Sequence, residues 1–258
     1  MSKIIGSQTE LHTSPEKLIK LDCRRTGFCN HFQGDLENLL KEVARKFPKT
    51  GYYQGMNCIG GFLMKYTSDY NFTVKVFNFL MEKRLETYFS DNFKNLKQLL
   101  FVSEKIFELY TPKFHAHFKS KNIGTEYFMS PIVLTLFTGS LQFIENFQLV
   151  ATIIDIVIAE GWIGFFKVLV VIVQKVEPRV VKMDYDHLLS YLTKEIYEDL
   201  ITFNFGSLKR EIAKLTIPKG LLQGLGTQYE DTTVIIDNYW VTFYEKRRPS
   251  SFKPRELN

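Results

Sequence analysis

The sequence predicts an all-α fold, and three observations lead to that prediction. Apolar residues recur at helical spacing along most of the 258-residue chain. Segments with the alternation expected of β-strands are scarce. Hydrophobic residues make up 45% of the chain and charged residues 24%, a globular composition that excludes a wholly disordered protein. We therefore expect helices packed around one continuous core.

Two helices are clearly marked in the first half of the chain. The apolar positions of Leu36–Phe47 lie on one helix face, and Pro48 ends that helix. A second helix ends before Pro112, and Thr111 is expected to cap a further helix with the proline in its first turn. The face of the second helix is formed by Leu96, Leu99, Leu100, Ser103, Ile106, Phe107 and Tyr110.

Further helices are predicted in the second half. One ends at Gly161, and the next is expected over Trp162–Val176. Asp184 and Ser207 are each expected to cap a later, shorter helix. The apolar positions that mark these helices are Val150, Ile153, Ile154, Val157 and Ile158, then Leu188, Leu189, Leu192 and Ile196, and finally Leu208, Ile212 and Leu215.

Charge, cysteine content and apolar patterning limit the partners and the compartment of this protein. The net charge of +5 and the pI near 8.9 are too weakly basic to indicate nucleic acid binding. The chain begins without an apolar signal-peptide region, and three cysteines cannot form a disulfide framework, so a cytoplasmic setting is expected. The most apolar region, Val150–Val176, contains Asp155, Glu160 and Lys167, and is expected to form two buried helices rather than a transmembrane span.

Most enzyme motifs are absent from the sequence. It contains no G-x-x-x-x-G-K-[ST], no G-x-G-x-x-G, no H-E-x-x-H and no G-x-S-x-G. His115 and His117 are separated by one residue, which directs them to different sides of a helix, so no metal site is expected there. Cys23 and Cys58 are interpreted as small core residues rather than nucleophiles.

Two short segments stand out as candidates for chemistry. They are Ile19–Thr26, with the sequence IKLDCRRT, and Gly51–Asn57, with the sequence GYYQGMN. Taken alone, the first contains an Asp22–Arg25 pair at i, i+3, which is most often a surface salt bridge worth roughly a few tenths of a kcal/mol. Taken alone, the second is a glycine-punctuated turn that leads into a helix.

Together, and in this order, the two segments resemble the catalytic motifs of the TBC-domain family, the GTPase-activating proteins for Rab-type small GTPases. The first family motif is I-x-x-D-x-x-R followed by Thr, and the second is Y-x-Q-G-M-N. The resemblance extends from about Ile19 to about Leu200. The matching residues are Ile19, Asp22, Arg25, Thr26, Tyr52, Gln54, Gly55, Met56 and Asn57.

This resemblance implies a two-lobed helical domain that donates catalytic residues to a partner and has no independent active site. Arg25 is the implied arginine finger, since a guanidinium presents a rigid fork of donors to the charge on the γ-phosphoryl group. Arg24 is the competing candidate in the sequence itself, but D-x-x-R spacing allows Asp22 to brace Arg25. Gln54 would substitute for the glutamine of the GTPase.

The supporting residues implied by the resemblance are Thr26, Tyr52, Gly55 and Asn57. Tyr52 is expected to position the loop, and Gly55 to allow close approach of the backbone. GTP and Mg²⁺ would be carried by the partner, a GTP-bound Rab-family GTPase, and no cofactor or metal by this chain. The implied setting is vesicle trafficking at the cytosolic face of vesicles or other endomembranes, with peripheral membrane association. A non-catalytic binding module and a structural subunit of a larger assembly are the alternatives.

Three regions are expected along the chain: an N-terminal segment over 1–18, a TBC-like helical domain over 19–216 and an irregular extension over 217–258 that ends in a basic tail. Family members usually have helices before the arginine motif. We expect their place to be covered by residues 1–15, by a partner chain or, as the favoured option, by residues 217–244. The extension is too apolar for a free tail at Val234, Ile235, Ile236, Tyr239, Trp240 and Phe243.

Overall fold

The computed structural model describes residues 14–27, 32–93, 95–141, 147–196, 198–199 and 204–246. Every regular element within these ranges is a helix, so the predicted all-α class is confirmed. The first seven α-helices are α1 Pro15–Arg25, α2 Gln33–Lys46, α3 Met56–Thr67, α4 Tyr70–Leu80, α5 Glu86–Phe93, α6 Leu96–Tyr110 and α7 Pro112–Ser120, and a π-helical turn, Met81–Leu85, lies between α4 and α5. The α-helices that follow are α8 Glu126–Thr135, α9 Thr138–Leu141, α10 Phe147–Glu160, α11 Trp162–Val180, α12 Tyr185–Ser190, α13 Phe205–Lys214 and α14 Lys219–Lys246, and a second π-helical turn, Tyr191–Glu195, follows α12.

The helices α1 to α4 form one packed group, in which the end of α1 lies beside the start of α3. Gly60 allows the close packing of α2 on α3, because a Cβ atom there would lie 3.0 Å from a methyl carbon of Leu36 and 3.2 Å from one of Leu39. From α1, Ile19 and Cys23 are buried against this group. The start of α3 is thereby fixed beside the end of α1.

A second group of helices continues the same core. The helix α6 packs on α7, α8 and α11, while α10 pairs with α11 and α13 lies against α11. Contacts of α3 with α8 and α9, and of α5 with α6, join this group to the first. The buried side chains of both groups belong to one hydrophobic cluster, which agrees with the expected single core.

Side chains at the helix starts explain several boundaries. The Ser14 hydroxyl accepts a hydrogen bond from the Lys17 N–H of α1, and Pro15 occupies its first position. Asp69 caps α4, and Asp184 caps α12 as the sequence predicts. The prediction for Ser207 was wrong: Asn204, three residues earlier, accepts from the Ser207 N–H at 2.9 Å, so α13 begins earlier.

Other predicted boundaries differ in smaller ways. The helix expected over Trp162–Val176 continues to Val180, and Pro178 lies inside its last turn. Thr111 does precede the proline of α7, but its hydroxyl donates to the Phe107 carbonyl at 3.2 Å instead of capping α7. The side chain therefore bonds back to α6, a geometry that threonine also favours.

The expectation of an irregular extension was wrong for 219–246, which form the helix α14. Its described side chains pack along α6: Leu225 is buried, and the ring of Tyr229 lies 5.5 Å from that of Phe101. The Gln98 side chain donates to the Gly226 carbonyl at 3.1 Å. The β-branched and aromatic residues after Thr232 obscured this helix in the sequence, because their intrinsic helix propensity is low.

Some predictions fall outside the residues that the structure describes. These include the position of residues 1–13 and the basic tail after Lys246. They also include Cys29 and the side chains of Val234, Ile235, Ile236, Tyr239, Trp240 and Phe243.

Candidate functional site

The candidate site begins at the end of α1, where Arg25 and Asp22 form the ion pair that their spacing predicts. Arg25 Nη2 donates to Asp22 Oδ1. The Asp22 side chain is only 2% exposed, whereas that of Arg25 is 64% exposed. A buried carboxylate thus binds one terminal nitrogen of the guanidinium, while most of the Arg25 side chain remains open to solvent. Arg24 is also exposed, but the Asp22 carboxylate accepts hydrogen bonds from Arg25 and Tyr52.

Tyr52 supplies the second contact of the same carboxylate. Its hydroxyl donates to Asp22 Oδ2 at 2.7 Å, although 30 residues separate the two. Burial, and then the hydrogen bond to the Asp22 carboxylate, raise the pKa of the Tyr52 hydroxyl far above its ordinary value. Tyr52 therefore stays protonated and remains a donor throughout the neutral pH range. With both oxygens of Asp22 engaged, the carboxylate cannot rotate away from Arg25.

Thr26 and Asn57 form a second link between the two segments. Asn57 Nδ2 donates to Thr26 Oγ1 at 2.8 Å, and Thr26 Oγ1 donates to the Asp22 carbonyl at 2.8 Å. The Asn57 Oδ1 atom accepts from the Gly55 N–H at 3.0 Å. Both Thr26 and Asn57 are buried. The hydrogen bonds therefore run from the end of α1 to the turn that starts α3.

Gly55 lies at the point where this turn becomes α3. Its φ of +122° favours glycine, and a Cβ atom there would lie 2.9 Å from the Leu134 carbonyl oxygen at the end of α8. The expected close backbone approach is thus made to α8. Gln54, immediately before it, is exposed. The arrangement presents an exposed arginine and an exposed glutamine on two segments that are joined by buried hydrogen bonds.

The residue between Tyr52 and Gln54 has a role that the motif does not indicate. Tyr53 is buried and packs its ring 4.9 Å from Phe89 and 5.8 Å from Phe93. Its hydroxyl has no hydrogen-bond partner among the described residues, and burial raises its pKa well above the ordinary value. The adjacent tyrosines therefore have opposite roles: Tyr52 bonds to the site, and Tyr53 anchors the turn in the core.

The other candidate residues are not part of this site. His117 Nε2 lies 2.9 Å from the Met183 carbonyl oxygen, and His115 Nε2 lies 3.8 Å from Glu104. Cys23 and Cys58 are buried, as expected for core residues. Within the described ranges, no cluster of three or more His, Cys, Asp or Glu side chains could hold a metal ion. Among the same residues, no helix has the length and apolar character required to cross a bilayer.

Comparison with known proteins shows the class to which this fold and site belong. The family model described as Rab-GTPase-TBC domain matches residues 1–181. The chain therefore belongs to the Rab-GTPase-TBC domain family. The match begins ahead of Ile19 and ends before Leu200, whereas the resemblance seen in the sequence extends from about Ile19 to about Leu200.

Individual relatives agree with this family. The chain is 29% identical over 164 residues to the GTPase activating protein Gyp51 of Schizosaccharomyces pombe, covering 63% of this chain and 15% of that protein. It is 28% identical over 191 residues to human TBC1 domain family member 14, covering 71% and 27% respectively. The chain thus spans about a quarter or less of the length of these relatives.

A solved structure supports the fold. The Chlamydomonas flagellar RabGAP TBC domain matches with a TM-score of 0.59 and 18% sequence identity. The match covers 83% of this chain and 67% of that domain. At this level of identity the likeness concerns the fold alone.

Proposed function

We propose that this chain activates GTP hydrolysis by a Rab-family small GTPase, with Arg25 as the arginine finger and Gln54 as a second residue supplied in trans. The observation that carries the proposal is the Arg25 side chain, which is 64% exposed although one terminal nitrogen of its guanidinium, Nη2, donates to the buried Asp22 carboxylate. Membership in the Rab-GTPase-TBC domain family supports the same function.

The chemistry follows from the charge that develops during hydrolysis. Negative charge builds on the γ-phosphoryl oxygens, and a small GTPase alone stabilises it poorly. A guanidinium that enters the nucleotide site stabilises that charge, and such a finger contributes about 10³–10⁵ in rate. Because Asp22 and Tyr52 already orient Arg25, less side-chain freedom is lost when the partner binds.

Gln54 has the complementary role in this proposal. Its amide carries both a donor and an acceptor, so it can hold the attacking water and a backbone group together. The Gly55–Asn57 hydrogen bond fixes the turn directly after it, and Asn57 is tied to Thr26 beside Arg25. The finger and the glutamine are thus presented by one connected unit.

The partner supplies the remaining components. GTP and Mg²⁺ are carried by the GTPase, and this chain contributes side chains only. The proposed setting is the cytoplasm, at the cytosolic face of vesicles or other endomembranes, where the chain would act in vesicle trafficking by peripheral association. The support for this setting is the family and the expectation from the sequence.

A second candidate function is a non-catalytic binding or structural subunit. Two exposed aromatic side chains on α4 favour this function, because Phe72 and Phe79 lie on the same face of the helix. Retention of the whole hydrogen-bonded site around Arg25 favours the catalytic function instead, because it presents an oriented, exposed guanidinium that a nucleotide site can receive.

Single-turnover GTP hydrolysis across a panel of Rab proteins tests the proposal. We expect one or more GTPases to be accelerated, and Arg25→Ala or Arg25→Lys to abolish the acceleration at saturating concentrations, since lysine lacks the fork of donors. Arg210→Ala on α13, an exposed arginine away from the site, is the matched control. Near-full activity of Arg25→Lys, or loss of the chemical step in Arg24→Ala instead, would show that Arg25 is not the finger.

A further inference from the structure

The exposed face of α1 is unusual in carrying a leucine among charges. Leu21 is 49% exposed and lies one turn before Arg25, so the two side chains share a helix face. The neighbouring positions on that face are Lys17, Lys20 and Arg24, and all three are exposed. The buried side of the helix is already provided by Ile19, Asp22 and Cys23, so Leu21 is not needed to pack α1 on the core.

Within the part of the chain that the structure describes, most of the charge on this face is not paired. Arg25 is paired with Asp22, but Lys17, Lys20 and Arg24 form no ion pair with the residues that the structure describes. The result is an apolar side chain surrounded by three solvated cations. Such a face is complementary to an acidic surface that has an apolar spot at its centre.

We infer that Leu21, Lys17, Lys20 and Arg24 form a docking strip for the GTP-bound small GTPase, and that the strip receives an acidic surface next to the nucleotide site. The inference rests on the proposed function. Residues four apart in a helix are separated by about 6 Å along its axis. When Arg25 enters the nucleotide site, Leu21 must therefore lie at the rim of that site, where the partner covers it.

The strip and the finger should affect different kinetic constants. A contact that is equally strong before and during the chemical step lowers KM without changing kcat, whereas a contact made only in the transition state changes kcat. Leu21 meets the partner surface and not the reacting atoms, so it belongs to the first class. Lys17, Lys20 and Arg24 attract the partner over a distance and so act mainly on the association rate, which salt reduces.

The test uses a GTPase that the wild-type chain activates in the panel. We expect Leu21→Ala to raise KM about fivefold, and Leu21→Asp to raise it more, with kcat unchanged, because a half-buried leucine contact is lost. Lys20→Glu should lower kcat/KM about tenfold at low salt, with the difference shrinking toward ~0.5 M salt. The matched controls are Leu109→Asp on α6, where the leucine is 56% exposed, and Lys209→Glu on α13.

The outcomes separate this inference from the proposed function. A KM that is unchanged in Leu21→Asp, or raised equally in Leu109→Asp, overturns the docking strip while leaving the GTPase-activating function intact. A fall in kcat in Leu21→Asp, with KM unchanged, also overturns it. A panel in which the wild-type chain activates no GTPase removes the proposed function, and the docking strip with it. Circular dichroism of each variant ensures that a raised KM is not caused by unfolding.

Discussion

The neighbouring residues Tyr52 and Tyr53 offer a sharp test of the site's architecture. Removal of a single hydroxyl from each, by Tyr52→Phe and Tyr53→Phe, is the same chemical change at consecutive positions. The Tyr52 hydroxyl bonds to the buried Asp22 carboxylate at 2.7 Å, whereas the Tyr53 hydroxyl has no partner among the described residues. The two variants should therefore differ in the sign of their effect on stability.

The magnitudes follow from these contacts. A hydrogen bond to a charged group contributes about 1.5–3 kcal/mol, and its loss leaves Asp22 Oδ2 buried without its donor. We expect Tyr52→Phe to lower the free energy of unfolding by about 2 kcal/mol, and Tm by roughly 4–8 °C for a chain of this length. Tyr53→Phe removes a buried group that makes no hydrogen bond, so it should be neutral or stabilising by up to about 1 kcal/mol.

Urea denaturation and thermal unfolding of the two variants measure this difference, and GTP hydrolysis provides an independent readout. Tyr52→Phe should also lower kcat, since Asp22 is freed to turn away from Arg25, while Tyr53→Phe should keep wild-type kcat. Equal stabilities of the two variants would refute the reasoning. Loss of activity in Tyr53→Phe alone would show that the ring contacts with Phe89 and Phe93 depend on the hydroxyl.

The same pair predicts a dependence on alkaline pH. The fold raises the pKa of both tyrosines above the ordinary value of 10.0. The unfolded chain therefore binds fewer protons than the native one above about pH 10, and stability is lost as pH rises. Each phenylalanine variant removes one such group. The stability gap between wild type and Tyr52→Phe should thus shrink by about 1 kcal/mol between about pH 9 and pH 11, and a constant gap would contradict the assignment.

Two further predictions concern the glutamine and the last helix. Gln54→Ala should lower kcat strongly with little loss of binding to the GTP-bound partner. A GTPase whose own catalytic glutamine is replaced should still be activated by the wild-type chain. If that mutant GTPase is not activated, the catalytic glutamine is the partner's own and not Gln54. Deletion of residues 217–258 should lower Tm and promote aggregation, because it removes the buried Ile217 and Leu225 and uncovers the face of α6 around Phe101. A deletion variant that is equally stable, monomeric and active would make α14 a separate docking element.

Local chemistry explains which parts of this structure were predictable from the sequence. The Asp22–Arg25 pair depends on i, i+3 spacing within one helix, so the sequence predicts it directly. The start of α12 at Asp184 is equally local. The cap of α13 was misassigned because Asn204 and Ser207 both have capping side chains, and nothing in the local sequence chooses between them.

The remaining features depend on contacts between distant parts of the chain. The bonds from Tyr52 to Asp22 and from Asn57 to Thr26 exist because α1 and α3 pack together, and spacing alone does not state that packing. The requirement for glycine at position 55 comes in part from the Leu134 carbonyl of α8. The resemblance of the two motifs to a family predicted that these residues act together, while the structure supplies the physical links.

These links also determine how α1 is held. An isolated helix of 11 residues is marginal in water, and α1 buries few apolar side chains on the core. Its position therefore depends on packing against α2 together with the hydrogen bonds of Asp22 to Tyr52 and of Thr26 to Asn57. Because Leu21 and Arg25 lie on this one helix, a change that loosens those bonds displaces the docking strip and the finger together. Loss of kcat accompanied by a raised KM consequently indicates displacement of α1, whereas a raised KM alone indicates loss of a contact with the GTPase.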